Sequence, residues 1–274
     1  QSEKQYIDLY TEAQQLIKEH AAPVLNEIRD KAFEDFRRQG FPTKKVERYK
    51  YTDMQKLFEP DYGLNLNRLE IPVNPYETFK CDVPNLSTSL YFVVNDQFYS
   101  KALPKAKLND GVIVDSLNHV ATERPELVAK YYGRLANTEA DAITALNTML
   151  AQDGLFIYVP KNVQLERTIQ VIRRLRSDVD LMVNRRVLIV LEEGAKAQFL
   201  FCDHAADDRN FLATQVIEAY VGANANLELN CLEETHAKNV RVSNVYIEQQ
   251  RDSRASHNVI TLHNGVTRNM LDLV

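Results

Sequence analysis

The chain has 274 residues, of which 45% are hydrophobic, enough for one large domain or two modest domains with a continuous core. Its 33 basic and 38 acidic residues give a formal net charge of −5, which excludes a global basic field for non-specific nucleic-acid binding. Three widely spaced cysteines without a CxxC pair argue against a disulfide framework and a closed zinc site, and no apolar run is long enough for a membrane helix, so we expect a cytoplasmic protein.

The first predicted element is a pair of helices within residues 4–39, where apolar residues recur at spacings of three and four. Pro23 suits the first turn of the second helix. Gly40 followed by Pro42 ends that helix, because glycine accepts the left-handed cap and proline cannot continue the hydrogen-bond ladder.

The stretch after these helices, FPTKKVERYKYTDMQKLF at residues 41–58, alternates lysines with acids and carries Tyr49 and Tyr51. It could be a nucleic-acid arm, a substrate-binding loop or a junction that docks one element onto another. Because its basic residues are matched by acids, and its aromatic rings can be buried beside lysine stems, the pattern favours a docking junction. We therefore assign residues 1–58 to an N-terminal helical segment with this junction.

Residues 59–153 are predicted to form an irregular connector with short elements. Prolines and asparagines are spread through short apolar pieces between residues 60 and 88, which indicates little regular structure. The runs SLYFVV and QFYSKAL flank Asn95 and Asp96 and predict a hairpin. ERPELVAKYY and ADAITALNTML predict two helices.

From residue 154 to 274 the chain changes to short β-branched runs separated by polar turns, which predicts an all-β region. The eight runs are LFIYV, TIQVI, RRVLIVL, AQFLF, ATQVIEAYV, LELNCL, VRVSNVYI and ASHNVITL. The chain stops at NMLDLV, within a further strand-like run, so we expect the natural protein to continue. An open end of stacked strands would leave backbone groups unpaired, so we also expect the missing segment or another chain to cover it.

An internal repeat of about 30 residues distinguishes two architectures for this region. Placing Ile217 over Ile247 gives an offset of 30, Ala195 over Ala223 gives 28, and Val163 over Ala195 gives 32. Offsets that vary in this way fit a parallel β-helix whose coils differ in loop length. A β-sandwich of antiparallel strands remains the alternative, because it also produces short alternating strands.

Cysteine and histidine residues in the β region are the first candidates for chemistry. Cys202 and Cys231 are 29 residues apart, about one coil, so stacking could bring two soft ligands for iron or zinc together. The alternative is that each cysteine packs as a small buried hydrophobe. The six histidines follow no zinc-ligand spacing; they are His20, His119, His204, His236, His257 and His263.

Acidic residues in the run DHAADDRN are the second candidate. Asp203, Asp207 and Asp208, with Arg209 beside them, could form a carboxylate cluster of the kind that acts in acid–base catalysis, but the run is more typical of a solvated turn between coils. GxSxG, Walker and GxGxxG motifs are absent from the sequence. We therefore assign no catalytic, cofactor-binding or metal-ligating residue.

Three motifs occur in order along the chain: GFPTKKVERYKYT at residues 40–52, ALN with a following DG and IYVPKNVQLERTI between 145 and 169, and GVTRN at 265–269. They resemble signatures of the SufB/SufD family of the SUF iron–sulfur cluster assembly machinery, the SufD branch in particular. Tyr49 stands where the family has tryptophan. The matches span nearly the whole chain.

This resemblance implies a right-handed parallel β-helix over residues 154–274 and a non-catalytic scaffold function. It also implies pairing with a SufB-like subunit through the β-helix and with a SufC-like ATPase through a C-terminal domain that lies outside this chain; a homodimer is a further form we consider. The resemblance implies no cofactor bound by this chain, only a transient cluster on the full complex, and no cluster-site residue carries over. Nucleic acid and membrane are not expected partners.

A β-helical carbohydrate-active enzyme is the alternative function that we weighed. Such an enzyme needs an exposed groove with clustered carboxylates, and it is usually exported. The start of the chain, QSEKQYIDLY, lacks the basic and then apolar order of an export signal.

Overall fold

The computed structural model describes residues 2–72, 74–75, 88–101, 103–104, 107–205 and 207–274; Cys81 and residues 76–87 of the predicted connector lie outside these ranges. The α-helices are α1 Ser2–Glu19, α2 Pro23–Asn26, α3 Arg29–Gln39, α4 Met54–Phe58, α5 Leu117–Glu123, α6 Pro125–Ala129 and α7 Ala142–Leu150. The strands are β1 Thr88–Val94, β2 Gln97–Phe98, β3 Ile113–Ser116, β4 Leu155–Val159, β5 Thr168–Leu175, β6 Leu181–Leu191, β7 Lys196–Ala205, β8 Phe211–Val221, β9 Asn226–Glu234, β10 Asn239–Gln249, β11 Arg254–His263 and β12 Val266–Leu273.

The strands from β4 onward alternate between two sheets and form a β-solenoid. One sheet has the order β11-β9-β7-β5-β1-β2, and the other has the order β12-β10-β8-β6-β4-β3. Within each sheet, successive strands of the solenoid pair in parallel, as β5 does with β7 and β6 does with β8. The predicted β-helix is therefore confirmed, and the antiparallel β-sandwich is wrong, because each strand pairs with the strand one full coil away.

Alternating residues of every strand face the interior between the two sheets. One part of this interior is apolar: Val187, Ile217 and Val245 lie side by side on β6, β8 and β10, and all three are buried. Burial of each such side chain contributes about 1.5–3 kcal/mol, so this stack of like residues stabilises the coil-on-coil arrangement.

The offset between paired residues shortens along the solenoid. It is 32 between β4 and β6, 30 between β7 and β9, 28 between β8 and β10, and 26 between β10 and β12. Two of the predicted alignments are therefore wrong by two residues: Ile217 pairs with Val245, and Lys196 pairs with Asn226, which excludes Ala195 over Ala223. An error of two keeps each side chain on its predicted face, because strand side chains alternate with a period of two.

One corner of the coil has the same backbone conformation in four successive turns. Asn162, Gly194, Asn224 and Asp252 have φ angles of 61°, 71°, 58° and 57°. This left-handed region is accessible to glycine and is tolerated by asparagine and aspartate, whose short side chains bond locally. The spacings of these four residues equal the true offsets of 32, 30 and 28. These four corner residues therefore indicate the correct register between successive coils, which the alignment of apolar residues did not.

Four helices, α1, α3, α4 and α7, cover the outer face of the sheet that contains β6, β8 and β10. Met182, Leu212 and Val242, which project from β6, β8 and β10, share one apolar cluster with residues of α1, α3, α4 and α7. Every residue of α7 is buried, and the helix is capped at its start by Asp141, whose side chain accepts from the Thr144 amide. The predicted second helix is divided into α2 and α3; Pro23 begins α2 and Gly40 ends α3, as expected.

The segment before residue 154 contributes to both sheets. The predicted hairpin around Asn95 and Asp96 is confirmed, since β1 and β2 pair antiparallel. β1 also pairs in parallel with β5, and β3 pairs antiparallel with β4, so the sheets extend across residue 154. In the predicted helix ERPELVAKYY only α6 is formed, and α5, which precedes it, was not predicted. No helix within the described ranges is long and apolar enough to cross a membrane.

Candidate interaction surface

Five charged side chains form a buried cluster in the interior of the solenoid. Strand register places Arg173, Asp203 and Glu233 side by side on β5, β7 and β9. Arg185 and Arg241 come from β6 and β10 of the facing sheet. All five residues are at most 3% exposed. We call this group the interior charge cluster.

Ion pairs connect the members of the interior charge cluster. Arg173 Nη2 and Arg185 Nη1 each lie 2.6 Å from an oxygen of Asp203, and Arg241 Nε contacts Glu233. Burial alone would raise the pKa of Asp203, but Arg173, Arg185 and Arg241 lower it to about 2. The Asp203 carboxylate therefore stays ionised inside the protein, because isolated buried charges are costly unless they are paired.

The interior charge cluster continues toward the last coil, which we define as β11 and β12. Glu233 accepts hydrogen bonds from the hydroxyls of Thr261 on β11 and Thr267 on β12. Arg241 Nη2 donates to Asn269 Oδ1 on β12 at 3.2 Å. Polar side chains therefore line one part of the interior up to the two strands at the sheet edges.

Asp203 does not lie in the solvated turn that was predicted for it from the sequence. We interpreted DHAADDRN as a solvated turn, but β7 extends to Ala205, and Asp203 follows Phe199 and Phe201 on the inward face. Asp207, Asp208 and Arg209 do lie in the turn. The prediction was wrong for Asp203 because an inward carboxylate needs arginine partners, and these come from strands distant in the sequence.

Cys202 and Cys231 lie on neighbouring strands but point to opposite faces of the sheet. Cys202 is paired with Leu232, and Phe201 is paired with Cys231. Cys202 belongs to an apolar cluster on the outer face with Phe92 and Ile172, whereas Cys231 belongs to the interior core. The two thiols therefore form no common site, although both are buried.

The histidines are distributed over the molecule. His119 Nδ1 lies 2.7 Å from Asp115 Oδ2, His236 Nε2 lies 2.8 Å from the Asp207 carbonyl, and His257 Nδ1 lies 3.1 Å from the Leu229 carbonyl. The remaining three are His20 in the turn after α1, His204 near the end of β7, and His263 at the end of β11. Among the residues that the structure describes, no three histidine, cysteine, aspartate or glutamate side chains are placed to hold a metal ion.

The stretch at residues 41–58 packs against the last coil through Arg48 and Tyr49. The guanidinium of Arg268 on β12 lies 3.7 Å from the ring centroid of Tyr49 and donates to the Arg48 carbonyl at 2.7 Å. Arg48 itself pairs with Asp272 of β12 at 2.9 Å. The Tyr49 hydroxyl donates to Asp141, the capping residue of α7. Tyr49 therefore joins the junction, α7 and β12.

Tyr49 and Tyr51 provide a matched test of this junction. We expect Tyr49→Phe to lower the free energy of unfolding by about 1–3 kcal/mol, because it removes a buried hydrogen bond to a carboxylate. Tyr51→Phe should change it by less than about 0.5 kcal/mol, since Tyr51 is 90% exposed. Denaturant unfolding of the two variants measures both values. Equal effects would contradict the junction geometry.

The last coil carries a concentration of exposed apolar side chains. β11 and β12 each form one edge of their sheet, and β2 and β3 form the opposite edges. Leu271 and Leu273 are 44% and 66% exposed, although they pair with the buried Val245 and Ile247 of β10. The other exposed apolar residues here are Ile260, Leu262, Val266 and Val274. Exposed apolar groups beside unpaired strand edges are typical of a surface that binds another strand or another protein.

Sequence reasoning identified part of this surface. The GVTRN motif marked Arg268, and the motif at residues 40–52 marked Tyr49, but nothing in the sequence indicated that the two residues touch. The interior charge cluster was missed as a group. The signal that could have identified the cluster is an arginine at an inward position of three different strands: Arg173, Arg185 and Arg241.

Two family models together match almost the whole chain. Residues 1–171 match the SufBD protein N-terminal region, and residues 174–274 match the SufBD core domain of the SUF system for FeS cluster assembly. The first match alone covers more than half of the chain.

Curated relatives agree with these matches. An iron–sulfur cluster assembly SufBD family protein of Arabidopsis thaliana, ABCI8, chloroplastic, is 32% identical over 128 residues, which is 46% of this chain and 23% of the relative. A second from this plant, ABCI9, is 28% identical over 171 residues, 62% of this chain and 35% of the relative. One from Synechocystis, slr0074, is 33% identical over 135 residues, 48% of this chain and 28% of the relative. The matched parts thus cover 23–35% of these relatives' lengths.

Proposed function

The chain belongs to the SufBD family of iron–sulfur cluster assembly proteins, and from this premise we propose that it is a non-catalytic scaffold subunit of a SufBCD-like complex. Its β-solenoid pairs with a SufB-like subunit, and a SufC-like ATPase binds a C-terminal helical domain of the full-length protein. The complex acts in the cytoplasm. No cofactor resides in this chain; the iron–sulfur cluster is the cargo of the whole complex.

The match of two SufBD family models, over residues 1–171 and 174–274, is the observation that carries this proposal, and the last coil offers an edge against which a further strand can pack. Leu271 and Leu273 continue the interior stack of Val245 and Ile247, so a strand laid against β12, from a later segment of the same protein or from another chain, would bury them as the core residues are buried. Each leucine buried in this way contributes about 1.5–3 kcal/mol. Main-chain hydrogen bonds to the edge of β12 would add to the affinity. Together with contacts to the polar side chains at the end of the interior charge cluster, they would fix the register of the added strand.

Charge substitutions at this edge test the pairing. In the full-length protein we expect Leu271→Glu combined with Leu273→Glu to reduce co-purification of a SufB-like subunit at least about 100-fold, because each glutamate would be buried without a partner. Val179→Glu is the control, since Val179 is 59% exposed in a corner turn outside the last coil. Undiminished co-purification of the double variant would contradict the proposed pairing. A homodimer that only the wild type forms would assign this edge to self-association, and loss of folding of the double variant would assign it to a later segment of the same protein.

Cysteine substitutions test whether the cluster is cargo or a resident group. Cys202 and Cys231 are buried on opposite faces of one sheet, and burial raises the pKa of the Cys231 thiol, which disfavours the thiolate that binds iron. We therefore expect the assembled complex to retain its iron and sulfide when each cysteine is changed to serine. Iron and acid-labile sulfide analysis measures this; a loss of half or more of the iron would place a ligand in this chain.

The alternative, a β-helical carbohydrate-active enzyme, receives no support from the interior carboxylates. Asp203 and Glu233 are buried and held by arginines, whereas a general acid or base must reach its substrate. The proposal of a scaffold therefore rests on family membership.

A further inference from the structure

The interior charge cluster contains one more positive charge than negative charges. Its three arginines, Arg173, Arg185 and Arg241, face two carboxylates, Asp203 and Glu233. Glu233 pairs with Arg241, so Arg173 and Arg185 share the single charge of Asp203. The uncompensated charge therefore lies at Arg173 and Arg185, at the end of the cluster away from the last coil.

Neighbouring charges do not remove this excess. Arg186 and Glu218, both fully buried, form their own pair at 3.0 Å on the outer face of the sheet. Asp96, in the turn of the β1–β2 hairpin, pairs with Arg68 at 2.8 Å and also accepts from the Asn184 amide. Each of these acids is therefore already matched by a cation. Asp153, which precedes Gly154 at the cavity, also interacts with Arg68, but burial raises the pKa of its carboxyl and favours the neutral form.

A small cavity lies beside the two arginines that share Asp203. Its volume is about 10 Å³, which is room for about one particle of the size of a water molecule. Among the residues that line it are Val93, Asp96, Leu155, Arg173, Arg185 and Val187. The cavity therefore joins apolar side chains of three strands, β1, β4 and β6, to the two guanidinium groups.

Both guanidinium groups have hydrogen-bonding capacity left. Arg173 Nε and Arg185 Nη2 are buried and have no acceptor within the part of the chain that the structure describes. Their other nitrogens are used: Arg173 donates to Asp203 and Gln215, and Arg185 donates to Asp203 and the Asn95 carbonyl. An unpaired buried donor is costly, and a charged one more so.

We propose that this cavity binds one small monovalent anion of the size of chloride, held by Arg173 and Arg185. The anion accepts hydrogen bonds from the free guanidinium N–H groups and brings the net charge of the site to zero. A water molecule could accept the same hydrogen bonds, but it would leave the positive charge uncompensated. Val93, Leu155 and Val187 fit a weakly hydrated halide better than a strongly hydrated anion.

A bound anion would connect two neighbouring strands of the solenoid, β5 through Arg173 and β6 through Arg185. Arg185 reaches the hairpin turn through the Asn95 carbonyl, and Arg173 lies on β5, which pairs with β1. Because the ligand binds only the folded protein, it stabilises the protein in proportion to the logarithm of its concentration. The stability of the chain should therefore depend on the halide present, and not on ionic strength alone.

Thermal unfolding at constant ionic strength tests this inference. Chloride or bromide is titrated against gluconate, which is too large for the cavity. We expect each tenfold rise in halide above its Kd to raise the Tm by roughly 2–3 °C. Arg185→Gln removes the excess charge, and its Tm should not respond to halide. Arg251→Gln, an 89% exposed arginine side chain, makes the same change in net charge and should keep the wild-type response.

Crystals of the wild-type chain grown in bromide provide a test that does not depend on the folding of any variant. We expect an anomalous scattering peak in the cavity between Arg173 and Arg185. Density for a water molecule without an anomalous peak, together with equal Tm values in chloride and gluconate, would overturn the proposal. A halide response that Arg185→Gln retains would also overturn it.

Discussion

Replacing Asp203 with asparagine is expected to lower the free energy of unfolding by about 3–5 kcal/mol, one of the two largest effects that the structure predicts. Asparagine has nearly the shape of aspartate, so packing is retained while the charge is lost. Arg173 and Arg185 would then lose the buried carboxylate that both of them contact at 2.6 Å. Denaturant unfolding, with the slope checked against wild type, measures the loss.

Asp208→Asn is the matched control for this substitution. Asp208 lies five residues further along the same run, and its pair with Lys238 is exposed, so we expect a change below about 0.5 kcal/mol. The pH dependence gives a second test. The pKa of Asp203 is about 2, below its ordinary value of 3.8, so its contribution is complete above pH 3.8 and is lost as the pH falls through 2. A difference between wild type and Asp203→Asn that did not shrink in acid would contradict this account.

Gly154→Ala is expected to cost about 3 kcal/mol or more, or to prevent folding. A Cβ atom at this position would lie 2.0 Å from the carbonyl oxygen of Arg186, which is backbone and cannot rotate away. Gly154 directly precedes β4, which pairs with β6, so relief of the clash would separate the first coil from the second. Far-UV circular dichroism and the yield of monomeric protein would detect the loss.

Gly63→Ala controls for the general effect of adding a methyl group. At Gly63 the nearest atom to a new Cβ is the Asp180 carbonyl oxygen at 3.3 Å, a contact that a shift of a few tenths of an ångström relieves. We expect a change of at most about 1 kcal/mol there. If Gly154→Ala folded with the stability of Gly63→Ala, the close approach of the two backbones would be wrong.

The architecture of the β region could be predicted because each coil repeats the same local pattern. Short β-branched strands and a repeat of about 30 residues predicted the solenoid. The alignment of apolar residues, however, predicted two of the strand registers with an error of two residues. Apolar residues such as Ile217 recur at every second position, so shifted alignments fit almost equally well. Asn162, Gly194, Asn224 and Asp252 fix the register, because their backbone conformation occurs once in each coil.

Contacts between distant segments could not be predicted from single motifs. The inward position of Asp203 depends on arginines from β5, β6 and β10, and the sequence offers no sign that they converge. The opposite orientations of Cys202 and Cys231 follow from a register that places Phe201, and not Cys202, beside Cys231. The contact of Tyr49 with Arg268 joins the first and last of the three family motifs across 219 positions.

The most direct test of the scaffold account is the composition of the complex that the full-length protein forms. The protein is co-expressed with a SufB-like subunit and a SufC-like ATPase from the same source, purified through a tag on this chain, and measured by light scattering coupled to size exclusion. We predict a single complex that contains all three proteins. Recovery of the full-length protein alone, with the other two subunits folded and soluble in the same cells, would contradict the central claim.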